Sequence, residues 1–120
     1  MSTPKVFESE YRFCCILWDN EGASAAALAA LAKERLGWSR TTTYTVIKRL
    51  GERGVLQNEG GEVRSLYSKE DIQFREIDEL VEKTFAGSLP AFVAAFTRHK
   101  KLTQEQAEEI RRMIADYTED

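Results

Sequence analysis

Apolar residues recur at helical spacing along most of this chain, and the recurrence breaks wherever glycine, serine and asparagine gather. Tyr11, Cys14, Cys15 and Trp18, with Leu17 beside them, predict a first helix that Ser9 could cap and that Asp19-Asn20-Glu21-Gly22 ends. Ser24 caps a predicted alanine-rich helix with Leu28, Leu31 and Leu36 on its buried side, and Gly37 is a left-handed stop. After that tight turn Ser39 opens a third helix, which Gly54 closes behind a basic last turn of Lys48, Arg49 and Arg53.

The pattern then changes period. Val55-Leu56-Gln57-Asn58 and Val63-Arg64-Ser65-Leu66-Tyr67 read as strands, and Glu59-Gly60-Gly61-Glu62 between them reads as a hairpin turn. Helical spacing returns at Ile72, Ile77, Leu80, Val81, Thr84 and Phe85. It continues in a helix opened by Leu89-Pro90 that carries Phe92, Val93 and Phe96. Thr103 and Gln106 have the spacing of a capping box before a last helix lined by Ile110, Met113, Ile114 and Tyr117. The expected fold is mainly α with a small β-hairpin. A winged helix-turn-helix occupies residues 1–70, and a three-helix region over residues 71–120 has more apolar surface than three short helices can cover. Ile77, Leu80, Val81, Phe85, Leu89, Phe92, Val93, Phe96, Ile110, Met113, Ile114 and Tyr117 would be covered by a second copy, giving a homodimer.

Composition and charge narrow the function. The 120 residues are 42% hydrophobic and 31% charged, the make-up of an ordinary globular chain. The net charge of -3 argues at first against a nucleic-acid partner. Its distribution argues otherwise. Residues 33–64 hold seven basic and four acidic side chains, a net of +3, while residues 103–120 carry a net of -4. A polyanion site is therefore sought in the central block. No apolar run could cross a membrane and the first residues have no signal-peptide character, so membrane insertion is not expected and the cytoplasm is the default compartment.

Enzyme chemistry finds no foothold. Cys14 and Cys15 stand alone as an adjacent pair, best read as core filling, and they supply neither a disulfide framework nor a metal-ligand set. His99 sits among Arg98, Lys100 and Lys101 with no catalytic partner near it in sequence, and no phosphate-binding glycine loop occurs. Neither catalysis, a metal nor a cofactor is expected.

The chemistry concentrates on the third helix. Thr43, Val46, Ile47 and Leu50 fall on one face, while Thr41, Tyr44, Thr45 and Lys48 fall together on the other. Hydroxyls donate to phosphates and base edges, lysine reads phosphate or guanine, and tyrosine can contact a thymine methyl. Thr and Tyr are poor helix formers, so propensity alone does not select such a surface. Thr41, Tyr44, Thr45 and Lys48 are the expected base contacts. Arg40, Thr42 and Arg49 are expected at the phosphates of double-stranded operator DNA, Arg64 on the hairpin at the minor groove or a phosphate, and the capping Ser39 belongs to the same DNA-binding set. Glu59 and Glu62 on that hairpin would be repelled by DNA. The alternative is a winged helix that binds another protein, which the acidic pI suits.

With these residues located, the chain resembles the penicillinase-repressor (BlaI/MecI/CopY) family of bacterial winged-helix regulators over nearly its whole length. FESEYRFCCILWDNEGASAAALAALAKE is similar to that family's first two helices, with Glu10 and Trp18 in the expected places. GWSRTTTYTVIKRLGERGVL resembles its recognition segment through Trp38, Ser39, Thr42, Thr45, Arg49, Leu50 and Gly54, and FAGSLPAFVAAF the start of its dimerisation region. The resemblance implies a homodimeric repressor on a palindromic operator. In antibiotic-resistance members it also implies a membrane sensor-protease and a cleaved bond that aligns with Ala95–Phe96. Several positions depart from the family: Arg40 and Thr41 where proline and lysine are frequent, Tyr44 and Lys48 among the base-reading positions, Ala95 in place of asparagine, and a wing, GGEVRSLY, that differs in length and charge. The paired C-x-C motifs of copper-responsive members are absent.

Overall fold

The computed structural model describes residues 3–119. Its elements run α1 (Glu8–Trp18), α2 (Ala25–Leu36), α3 (Arg40–Glu52), β1 (Leu56–Glu59), β2 (Glu62–Ser65), α4 (Lys69–Thr84), α5 (Leu89–His99) and α6 (Gln104–Tyr117). The chain divides into two compact units, residues 1–78 and 79–120. The helical and hairpin pattern of the sequence is the observed architecture: mainly α with one antiparallel hairpin.

Caps account for most helix starts. The Ser24 hydroxyl accepts from Ala27 N–H and the Ser39 hydroxyl from Thr42 N–H, and Gly37 at the end of α2 has φ 73°. Thr103 and Gln106 form the expected capping box of α6. The α1 start differs from expectation, and α4, for which no cap was expected, has its own. α1 begins at Glu8 behind Phe7, and Ser9 lies inside it, because the Glu10 carboxylate reaches back to accept from Phe7 N–H at 2.9 Å. α4 begins at Lys69, where Ser68 and Asp71 exchange side-chain to backbone hydrogen bonds of 3.1 and 3.2 Å.

The hairpin is shorter than its sequence pattern. Leu56 pairs with Ser65 and Glu59 with Glu62, leaving a two-residue turn in which Gly60 and Gly61 both have positive φ. That conformation matches the twist of the strands and is open to glycine without strain. Val55, Leu66 and Tyr67 fall outside the ladder. A third segment joins instead. Gly22 N–H donates to Val63 O at 2.8 Å and Val63 N–H to Ala23 O at 2.9 Å, so the turn after α1, expected only as a helix break, also borders the wing.

The core of the first unit gathers Phe13, Cys14, Ile16 and Leu17 of α1, Leu28 and Ala32 of α2, and Val46, Ile47 and Leu50 of α3. Val6, Val55, Leu56, Val63 and Ile72 complete it. Trp18 closes one side, its indole N–H donating to Tyr67 O at 3.0 Å. Cys14 is only 1% exposed, and burial above all, then the Glu10 carboxylate and the neighbouring Cys15, pushes its thiol from 9.0 up to about 12. The unfolded chain loses this proton first, so the group's contribution to stability is whole below pH 9.0 and is lost as pH rises toward 12. The urea midpoint of the wild type should therefore fall further between about pH 8 and about pH 10.5 than that of Cys14→Val, which cannot titrate. Equal falls would refute the assignment.

The second unit is held differently. The chain turns after α4, with Gly87 N–H donating to Val81 O at 2.9 Å, and Phe85 meets Phe92 edge-on at 5.5 Å between ring centres. No helix among the described residues is long and apolar enough to cross a membrane.

Candidate nucleic-acid interface

The two faces of α3 separate as its spacing requires. Thr43, Val46, Ile47 and Leu50 are buried, while Thr41, Tyr44, Thr45 and Lys48 are exposed, with Arg40, Thr42 and Arg49 flanking them. Thr43 is a polar member of the buried set; its hydroxyl donates to Ser39 O at 3.1 Å. Packing of α3 against α2 and the hairpin thus fixes which side chains look outward. Tyr44 is 39% exposed, its ring half supported by the domain and half available.

At the N-terminus of α3 the Ser39 hydroxyl accepts from Thr42 N–H and donates to the Thr42 hydroxyl at 2.9 Å. Thr42 keeps its own hydroxyl proton to donate outward, beside backbone N–H groups whose dipoles favour an anion. Beside Tyr44 and Lys48 lies a groove of about 340 Å³, walled by Ile47, Gly51, Ala25 of α2, and Leu56 and Asn58 of β1. Its apolar floor and polar rim suit a thymine methyl or a sugar ring.

The central basic block is thinner than its count. Arg53 is turned inward, donating to Glu10 and, at 2.7 Å, to Lys5 O, with its guanidinium over the Phe7 ring. Arg64 pairs with Glu62 at 2.5 Å. Among the described residues Arg40, Lys48 and Arg49 make no ion pair, so their charge is available on the α3 side. Glu10 and Glu62 therefore take two cations out of this surface, and Glu21 shapes it through a pairing with Ser65 that no local sequence pattern signals. Glu21 accepts from Ser65 N–H at 2.8 Å and from the Ser65 hydroxyl, pinning β2 to the turn after α1.

In the second unit Leu80, Leu89, Val93, Phe96, Ile110, Met113, Ile114 and Tyr117 expose apolar surface, Tyr117 at 86%. Ile77, at the end of the first unit, is exposed as well. Val81 departs from the expected open face: it is 8% exposed, covered within its own chain, and Phe85 and Phe92 are half-buried. Ala95 and Phe96 lie in the middle of α5, so the bond between them is in helical backbone. No group of three or more metal-ligating side chains occurs among the described residues.

Known proteins carry the same pattern. The model of the penicillinase repressor family matches residues 7–116. The methicillin resistance regulatory protein MecI of Staphylococcus aureus strain Mu50 is 26% identical over 116 residues, covering 93% of this chain and 94% of that protein. The MecI proteins of Mammaliicoccus sciuri and Staphylococcus epidermidis are each 25% identical over the same coverage.

Proposed function

Because the chain belongs to the penicillinase repressor family, a family of transcriptional regulators, we propose that it represses transcription as a homodimer on a palindromic operator, with α3 of each copy in a major groove. The observation that carries this reading is the outward face of α3. Three hydroxyl or phenol side chains and a lysine stand together there, opposite a buried face. Thr41, Tyr44, Thr45 and Lys48 read base edges; Arg40, Thr42 and Arg49 hold phosphates, Ser39 orients the Thr42 hydroxyl toward them, and Arg64 adds a phosphate contact when it leaves Glu62. Residues 1–70 form the DNA-binding part and residues 71–120 the dimerisation part.

Dimerisation supplies what one copy lacks. With few uncommitted cations, a single winged helix binds weakly, and coupling two raises the effective concentration of the second at its half-site. The exposed apolar side chains of α5 and α6 are the surface that a second copy would cover. Half-sites should then lie roughly 34–36 Å apart or a multiple of that, and an operator overlapping a promoter would exclude polymerase. A sensor-protease acting at Ala95–Phe96 must first open α5, because a protease binds its substrate extended and this bond is helical.

The test begins with duplexes selected by the wild-type protein from a randomised library. Lys48→Ala should cost about 1–3 kcal/mol of binding to the selected site, and sedimentation should show two chains per duplex. Unchanged affinity and salt slope would remove Lys48 from the interface. Failure to bind any DNA at low salt would favour the protein-partner reading of the fold.

A further inference from the structure

The tip of the hairpin is acidic, and its acids face one another. Glu59 and Glu62 are direct partners in the antiparallel register, both exposed, on either side of Gly60-Gly61. Like charges opposed across two strands are unfavourable to the hairpin itself. Glu62 also holds Arg64, which is the only cation of residues 57–64, so that stretch carries a net charge of -1. The Arg64 guanidinium is folded back over Gly22: a Cβ added there would stand 2.7 Å from Arg64 Nη2.

Nor is this hairpin free to swing away from whatever α3 touches. Val55 N–H donates to Leu50 O at 2.9 Å, tying the strand entry to the end of α3. Leu56 and Val63 are buried in the same core as Ile47 and Leu50. On the other side, two backbone hydrogen bonds to Val63 and the Glu21–Ser65 bonds anchor β2. The carboxylates are thus carried at a fixed place beside the recognition face.

We propose that Glu59 and Glu62 are specificity determinants that work by repulsion, which rests on the reading of α3 as a DNA-binding helix. The backbone of any duplex meets two carboxylates and a cation already engaged by one of them. Sequence-independent attachment is therefore weakened, and occupancy depends on the base contacts of Thr41, Tyr44, Thr45 and Lys48. Glu62 competes with phosphate for Arg64, so neutralising it releases a phosphate-binding cation as well as removing a repulsion.

The experiment compares the wild type, the double variant Glu59→Gln with Glu62→Gln, and a control, Glu105→Gln with Glu109→Gln, which makes the same charge change on α6. Each is titrated with a random-sequence duplex of about 30 base pairs and with the selected operator, over a series of salt concentrations. The wing variant should bind the random duplex about tenfold more tightly at low salt, with a salt slope steeper by about one. Its operator affinity should rise less, so discrimination falls. The control should stay within about twofold of the wild type. A wild type that binds its operator while the wing variant stays within about twofold on random DNA overturns the proposal alone. So does a control that gains as much as the wing variant. A wild type that binds neither duplex overturns the DNA-binding reading and this inference with it.

Discussion

Replacing Phe13 by alanine is expected to destabilise the first unit by about 3–5 kcal/mol, the range for deleting a buried aromatic ring. Phe13 is 0% exposed and its ring stacks on Trp38, 6.0 Å between centres and 11° from parallel. Trp38 occupies the turn between α2 and α3, immediately before the cap of α3. The variant therefore leaves a cavity beneath the junction that orients α3, and neighbouring backbone anchored by caps on both sides cannot collapse far into it. Set against a total stability of roughly 5–15 kcal/mol, this loss removes a large share of the folded population's margin. Thermal melting followed by circular dichroism should show a midpoint lowered by about 12 °C or more. Phe13→Leu, which refills much of the volume, should recover most of it. A midpoint within about 3 °C of the wild type for Phe13→Ala would mean that the ring is not part of the cooperative core.

Glu10→Ala is expected to cost about 2–4 kcal/mol, less than the ring but through a different mechanism. Glu10 is 7% exposed, and its two carboxylate oxygens serve two partners: one accepts from Phe7 N–H, the other from Arg53. Arg53 is the residue that ends α3, and it also donates to Lys5 O. Removing the carboxylate leaves a half-buried guanidinium with one acceptor and frees the start of α1. The loss comes from uncompensated desolvation, so it should shrink when the cation is removed too. In urea denaturation, Glu10→Ala with Arg53→Met should cost less than the sum of the two single variants. Strict additivity would show that the pair is not coupled in the folded protein.

These two residues differ in how far the sequence announces them. Phe13 belongs to an α1 pattern that is apolar at helical spacing, and Trp38-Ser39 marks the start of α3 without help from any structure. The buried and exposed faces of α3 follow the same way, because 3.6 residues per turn fixes which positions share a side. Glu10 could be noticed as an acid near a helix start, but not as the partner of a residue 43 positions away. Serine at position 9 looked the better cap by type; the carboxylate of Glu10, reaching back to Phe7 N–H, won because it satisfies a backbone donor and an arginine together.

The wing shows the division most sharply. Gly60-Gly61 between two short β-patterned runs announces a hairpin, since few other residues take positive φ twice in succession. Strand alternation puts Glu62 and Arg64 on one face, but that Arg64 also folds against the turn after α1 depends on the tertiary fold. Arg64 stood as a free cation in the sequence; in the fold it pairs with Glu62, two residues back on the same strand, and lies against Gly22. The apolar positions after residue 72 were likewise legible as faces, while the burial of Val81 depends on how the chain turns at Gly87.

By itself, then, the sequence determined the order and kind of the elements, the caps of α2, α3 and α6, and the outward set of Thr41, Tyr44, Thr45 and Lys48. Each rests on spacing within a few residues, where backbone geometry leaves little choice. Only the tertiary structure decided which charges are spent inside the fold and which remain for a partner. The pairs Glu10 with Arg53, Glu21 with Ser65 and Trp18 with Tyr67 join residues 43, 44 and 49 positions apart, and packing alone brings such groups within hydrogen-bond reach.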